Sequence, residues 1–93
     1  MNPHKFFEEV SAIIGERGHD YGGVECGGLE ENFDRAAKIA NQIIGRALTP
    51  HDIAMVMVAV KLARMRTSPE KRDSYIDCAA YLAFAAELKE AGR

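Results

Sequence analysis

At 93 residues the chain has room for a single domain, residues 1–93, and its 47% hydrophobic and 28% charged residues are typical of a soluble globular protein. The formal net charge of -2 argues against a surface for duplex nucleic acid, which normally carries a strong basic excess. A small anionic ligand, which needs only a few placed cations, stays compatible with this charge. No apolar run approaches the roughly 20 residues that span a bilayer, and no signal-peptide pattern opens the chain, so we expect a cytoplasmic protein without a membrane partner.

The first predicted helix begins with Asn2 as N-cap and Pro3 at the first helical position. Gly18 is expected to end it, and a glycine-rich loop is predicted over residues 18–28. Glycine lets backbone amides approach a ligand closely, so this loop is a candidate binding segment. It also holds the polar residues His19, Asp20, Tyr21, Glu25 and Cys26.

The second predicted helix carries an apolar stripe and ends at Gly45; the stripe consists of Leu29, Phe33, Ala36, Ala37, Ala40, Ile43 and Ile44. Thr49 and Pro50 then supply the cap and first residue of a third helix, with Asp52 in its first turn. The stretch from Ile53 to Val60 has no polar residue on any face. We therefore expect this helix to be surrounded, either within the domain or by another subunit.

Ser68 and Pro69 offer a cap pair for a fourth helix, whose predicted packing face is Ile76, Ala79, Ala80, Ala83 and Leu88. The sequence thus predicts an all-α fold of four helices. A domain of this size buries only roughly 60–65% of its unfolded surface, which favours oligomerisation. Cys26 and Cys78 lack the spacing of a zinc site, and we expect them to be unpaired thiols.

Charged residues cluster around the predicted connection between the third and fourth helices. Asp73 and Asp77 are four apart on one helix face, where two like charges destabilise a helix. Either a shared magnesium ion or ion pairs with Lys or Arg would offset their repulsion. The short connection at residues 67–69 makes the two helices antiparallel, which brings Lys61 and Arg64 near these acids. Ion pairing and phosphate binding both remain open, and they are compatible because an Arg held by a carboxylate is oriented for phosphate.

A second polar group opens the second helix, where Glu30, Glu31 and Asp34 lie within one turn. Pairing of Glu31 with Arg35 and of Asp34 with Lys38 is the structural alternative to a binding role for these acids. Asn32 is placed to reach the glycine-rich loop or a base edge. In that loop, His19 has the features of an ordinary surface residue. Tyr21 could either stack on a base or cover the core.

Four segments in this order resemble a known group: R-G-H-D-Y-G (17–22), E-N-F (31–33), L-T-P-H-D-I-A-M-V-M-V-A-V-K-L-A-R (48–64) and D-S-Y-I-D-C-A-A-Y (73–81). They resemble small phage and prophage proteins related to the MazG-like all-α nucleotide pyrophosphohydrolases. The resemblance implies a compact four-helix MazG-like domain in an oligomeric bundle, at least a dimer, that acts in the cytoplasm of a bacterial host cell. It also implies a nucleotide held between helices, with magnesium on E-E-x-x-E followed by E-x-x-D.

The acids of this chain match that metal pattern only in part. Glu30, Glu31 and Asp34 read E-E-x-x-D, but Asp73 and Asp77 read D-x-x-x-D, a longer spacing than the related enzymes show. This difference from the metal pattern of the related enzymes weakens the expectation of hydrolysis more than the expectation of nucleotide binding. Whether the protein is an enzyme is therefore left open by the sequence.

Three hypotheses follow from these patterns. The first is a phage-type protein that binds a nucleotide without chemistry, for instance by sequestering a nucleotide immune signal; its candidate ligand-binding residues are Lys61, Arg64, Asn32, Tyr21, His19, Asp73 and Tyr81. The second is a magnesium-dependent nucleoside triphosphate pyrophosphohydrolase, whose candidate metal ligands are Glu30, Glu31, Asp34, Asp73 and Asp77. The third is a non-catalytic helical assembly module whose charges form ion pairs only.

Overall fold

Four helices build the fold in the computed structural model, which describes residues 2–20 and 28–93 and the side chains of residues 2–16 and 33–93. The helices are α1 (Pro3–Asp20), α2 (Gly28–Ile44), α3 (Pro50–Thr67) and α4 (Arg72–Glu90). No strand occurs within the described ranges, which confirms the all-α prediction. None of the described helices is both long and apolar enough to cross a membrane.

The local cap signals set three helix ends as predicted. The Lys5 N–H donates to the Asn2 side chain at 2.8 Å at the start of α1. Thr49 and Asp52 form a capping box at the start of α3, in which each side chain accepts from the other's backbone N–H, at 3.1 and 2.9 Å. The bonds from the Thr49 backbone and side chain hold the pKa of Asp52 below its usual range. Gly45 ends α2 with a φ of 69°, the left-handed conformation that glycine adopts most easily.

Two other predicted ends are wrong. Helix α1 continues through Gly18 to Asp20, so the predicted loop of residues 18–28 is shorter at that end, and Gly28 already belongs to α2. Gly18 lies inside α1 and does not end this helix. Ser68 does not cap α4, because this helix starts at Arg72 and Lys71 takes the N-cap position; the Ser68 N–H donates to the Arg64 carbonyl at 2.8 Å at the end of α3.

The connection between α2 and α3 is closed by the amide of Asn41. Its side-chain oxygen accepts from the Leu48 N–H at 2.6 Å, and its side-chain nitrogen donates to the Leu48 carbonyl at 3.2 Å. One side chain therefore satisfies both backbone groups of the residue that leads into α3. This fixes where α3 starts relative to α2.

Helices α3 and α4 form an antiparallel pair at the centre, with α2 against α3 and α1 against α4. The core lies where α2, α3 and α4 meet; its buried members are Phe33, Ala54, Val58, Tyr81, Phe84, Ala85 and Leu88. The Phe84 ring lies 6.5 Å from Phe33 and 5.9 Å from Tyr81, between ring centroids. These distances are within the range in which aromatic pairs attract one another.

Some apolar residues of the predicted packing faces are exposed. Ile43 and Ile44 of α2 are 77% and 54% exposed, Ala83 of α4 is exposed, and the outer side of α3 exposes Met55 and Val56. Helical periodicity predicts which side of a helix is apolar, whereas the neighbour that covers this side is a matter of tertiary packing. Among the described side chains, those that pack on α3 therefore lie on one side of it only. Cys78 is free and half-buried, and burial raises the pKa of its thiol; Cys26 lies outside the described residues.

We expect Leu88→Ala to lower the free energy of unfolding by about 2–5 kcal/mol, since it empties a fully buried site. Leu82→Ala is the matched control on the same helix, because Leu82 is 53% exposed. Its cost should be well under half as large. Urea denaturation followed by circular dichroism measures both, and equal losses would contradict this assignment of the core.

Candidate functional site

A largely buried ion pair joins α3 to α4. The Lys61 Nζ lies 3.2 Å from the Asp77 Oδ2, and the two side chains are only 11% and 14% exposed. The antiparallel packing of the two helices brings these residues together, as the short connection predicts. With both charges largely removed from water, each needs the other as its counter-ion.

Next to this pair lies a cavity of about 690 Å³ between the end of α3 and the start of α4. It is lined by Val60, Ala63, Arg64, Thr67, Ser68, Lys71, Asp73, Ser74 and Asp77. A volume of this order is usual for small-molecule sites, which span about 300–1,000 Å³. The walls combine apolar atoms from α3 with hydroxyl and charged groups from the turn and the start of α4.

The charges around this cavity leave a cationic surplus. No described residue forms an ion pair or side-chain hydrogen bond with Arg64 or Lys71. Asp77 is balanced by Lys61, so Asp73 is the one remaining acid in the lining described above. Two cations against one carboxylate give the cavity a local positive charge, although the whole chain is slightly acidic. Such a site favours an anion.

A second, smaller cavity of about 360 Å³ lies between α1 and α4. Its lining residues are Glu9, Ala12, Ile13, Asp73, Ile76 and Asp77. Asp73 and Asp77 thus border both cavities, and Glu9 is ion-paired with Arg72. Among the described side chains, however, no three His, Cys, Asp or Glu residues form a group that could hold a metal ion.

The structure assembles part of the predicted ligand set. Lys61, Arg64, Asp73 and Asp77 lie together around the larger cavity and its ion pair. Tyr81 instead lies in the core against Phe84 and lines neither cavity. The predicted positions Tyr21, His19, Asn32, Glu30 and Glu31 fall outside the described residues or the described side chains.

Asp34 lies far from the other described candidate metal ligands. Its carboxylate bonds Lys38 at 3.0 Å, the predicted pair, and also lies 3.5 Å from Arg93. The bond from Lys38 holds the pKa of Asp34 below its usual range. Arg93 follows the end of α4, whereas Asp77 is near its start, and the helix between Asp77 and Glu90 rises by about 20 Å. A single chain therefore does not bring Asp34 together with Asp73 and Asp77.

Two residues near the site are not predicted from the sequence. Lys71 enters the cavity lining because the turn after α3 makes it the N-cap of α4, a position that Ser68 was expected to hold. Glu9 borders the second cavity through the packing of α1 on α4. Neither position carries a local sequence signal, since both follow from tertiary structure.

Asp77→Asn should lower the free energy of unfolding by about 3 kcal/mol, because it leaves the Lys61 ammonium largely buried without its counter-ion. The double variant Lys61→Met with Asp77→Leu should recover most of this loss, since neither charge remains to be desolvated. Asp34→Asn is the control: its partner Lys38 is 76% exposed, and the loss should stay below about 1 kcal/mol. Denaturant titration of these variants tests the pair, and a double variant that is no more stable than Asp77→Asn would contradict it.

Comparison with known families gives one match. A family model described as a domain of unknown function (DUF6378) matches residues 6–89. No curated protein and no solved structure matches the chain. The matched range reaches into all four helices and contains the ion pair and every residue that lines the two cavities. The chain therefore belongs to the DUF6378 family.

Proposed function

We propose that this protein binds a nucleotide through its phosphate groups in the larger cavity between α3 and α4. One observation carries the proposal: Arg64 and Lys71 line a cavity of about 690 Å³ and are ion-paired to no described residue. Cations without counter-ions beside a cavity favour an anionic ligand. Phosphate is the anion that Arg binds in bidentate fashion and Lys binds as a point charge.

The remaining lining suits the other parts of a nucleotide. The cavity is much larger than a single phosphate requires, and Val60 and Ala63 give it an apolar wall for a base or sugar ring. Asp73 is an acceptor, which suits a sugar hydroxyl or a base amino group. The hydroxyls of Ser68 and Ser74 add neutral hydrogen-bonding groups. The resemblance to MazG-like proteins supports the same ligand class.

We propose that the nucleotide is held rather than opened, as in sequestration of a nucleotide signal. The Lys61 ammonium next to Asp77 supports this, because a bound cation of the protein disfavours a metal ion on the same carboxylate. The ion pair instead fixes the wall on which Arg64 and Asp73 stand. In keeping with the resemblance, the binding form is proposed to be a homo-oligomer.

Isothermal titration against linear and cyclic nucleotides tests the proposal. We expect one or more to bind, and Arg64→Ala and Lys71→Ala each to weaken binding by roughly 10- to 100-fold, the worth of a lost charge-assisted hydrogen bond. Arg46→Ala and Lys89→Ala are the controls, since both residues are exposed and line neither cavity. Their affinities should match that of the unchanged protein.

The titration also separates this proposal from a purely structural role of the charges. If no nucleotide binds below high micromolar concentration, and Arg64→Ala changes only the free energy of unfolding, the helical assembly module is the better description. Weakening by the control variants to the same extent would point to a general charge effect. Either result would overturn the proposed site.

Magnesium-dependent hydrolysis is the second candidate. It is supported by Asp73 and Asp77, two carboxylates that border both cavities. Magnesium takes carboxylate oxygens together with substrate phosphates, so such acids would hold the ion and activate a water for attack on the α/β phosphate linkage.

We expect nucleoside triphosphates to remain intact after long incubation with the protein and magnesium, since Asp77 is engaged by Lys61. Chromatography of the nucleotide and an assay for pyrophosphate measure this. Asp73→Asn and addition of a chelator are the controls. Pyrophosphate release that requires magnesium and disappears in Asp73→Asn would establish the hydrolase instead.

A further inference from the structure

The outer face of α3 is an exposed apolar surface with a charge at each end. It consists of Met55, Val56, Ala59, Leu62 and Ala63, all exposed to solvent. Asp52 precedes this surface and Arg66 follows it on the same side of the helix, since residues three, four and seven apart share a face. Large apolar side chains that are 40–54% exposed, as Met55, Val56 and Leu62 are, form a continuous patch of the kind that marks an interaction site.

The dimensions of the molecule agree with a missing neighbour. Its accessible surface is 6314 Å², whereas a monomer of 10.2 kDa is expected to expose about 5,300 Å². Its radius of gyration is 13.9 Å, against about 12 Å for a globular chain of this length. The exposed face of α3 contributes to this difference.

We propose that α3 packs against α3 of a second copy, antiparallel, about a two-fold axis that passes at Ala59. Asp52 and Arg66 lie seven residues on either side of Ala59, so the axis is at the middle of the face. Ala59 then meets Ala59 of the partner subunit, and a small residue at the crossing lets the helices approach closely. Met55 faces Ala63 of the partner subunit, and Val56 faces Leu62 of the partner subunit, so larger and smaller side chains alternate.

The charges at the two ends select the antiparallel arrangement. In this register, Asp52 lies opposite Arg66 of the partner subunit, and the symmetry produces the same contact twice. A parallel arrangement would instead place Asp52 opposite the partner's Asp52 and Arg66 opposite the partner's Arg66. Arg66 forms no ion pair with any described residue of its own chain, and one Asp52 oxygen takes the capping bond, which leaves the other for Arg66 of the partner subunit.

The second copy would also border the proposed nucleotide site. Ala63 belongs to the apolar face and to the lining of the larger cavity, and Val60 lines the same cavity one position beyond Ala59. A helix seated on this face narrows the opening of the cavity on the α3 side. The link between the second copy and the nucleotide site rests on the proposed function, whereas the interface itself rests on the face of α3 alone.

Sedimentation equilibrium and native mass spectrometry test the interface. We expect the unchanged protein to be a dimer or an even-numbered assembly of dimers, and Ala59→Lys to weaken the α3 contact by at least roughly 100-fold, because it places two like charges and extra volume on the axis. Ala83→Lys is the matched control: Ala83 is also an exposed helical alanine, but it lies on α4. It should leave the assembly unchanged.

A disulfide tests the register. In a background of Cys26→Ser and Cys78→Ala, Ala59→Cys should form a cross-linked dimer on mild oxidation, since helices about 8–10 Å apart bring the two Cα atoms to about 3.4–5.4 Å at the crossing. Ala83→Cys in the same background should not. A monomeric unchanged protein, an assembly that survives Ala59→Lys, or cross-linking through Ala83→Cys alone would each overturn the proposal.

The outcome is separable from that of the nucleotide titration. A dimer that is broken by Ala59→Lys and binds no nucleotide keeps the interface and removes the proposed function. A monomer that binds nucleotide keeps the proposed function and removes the interface.

Discussion

The ion pair between Lys61 and Asp77 is the interaction on which the site depends. It ties α3 to α4 near the end where both helices meet the turn, and its two side chains are largely shielded from water. Because a largely buried charge requires a counter-ion, the helices hold one register at this point. Arg64, one turn beyond Lys61, and Asp73, one turn before Asp77, are thereby placed on opposite sides of one cavity. With Asp77 neutralised, Arg64 and Lys71 set the sign of the local charge.

A single apolar stretch of α3 serves two surfaces. Its inner residues Ala54 and Val58 belong to the core, while Met55, Val56 and Leu62 remain exposed on the other side. A chain this short has few helices with which to cover a helix that is apolar all round. The same helix therefore contributes to the core, to the cavity through Val60 and Ala63, and to the face that we assign to a second copy. Stability, binding and assembly are linked through α3 more than through any other described element.

Local chemistry made part of this structure predictable. The caps at Asn2 and Thr49 and the left-handed glycine at position 45 depend only on neighbouring residues, and all three follow the sequence patterns. The pairing across α3 and α4 was predictable for a similar reason, because a short connection leaves two helices little choice of direction. Ser68 shows the limit of such rules: it is the C-cap of α3, and the N-cap position of α4 falls three residues later, at Lys71.

Other features depend on contacts between residues far apart in sequence. The exposure of Ile43 and Ile44 and the place of Lys71 in the cavity lining are set by which elements pack together, and periodicity contains no such information. The same holds for Asp34, whose neighbour Arg93 belongs to the far end of α4. Spacing along one helix predicts the pair of Asp34 with Lys38, but only the tertiary structure shows that Arg93 is a second cation beside this carboxylate.

The amide of Asn41 limits how the connection before α3 can vary. Its oxygen and nitrogen each bond one backbone group of Leu48, so the side chain fixes the distance that residues 45–47 must span. Aspartate at this position would keep the acceptor but turn a second acceptor toward the Leu48 carbonyl, and glutamine would be one methylene too long. In other members of the family, a loop of different length here should therefore coincide with a residue other than asparagine at this position.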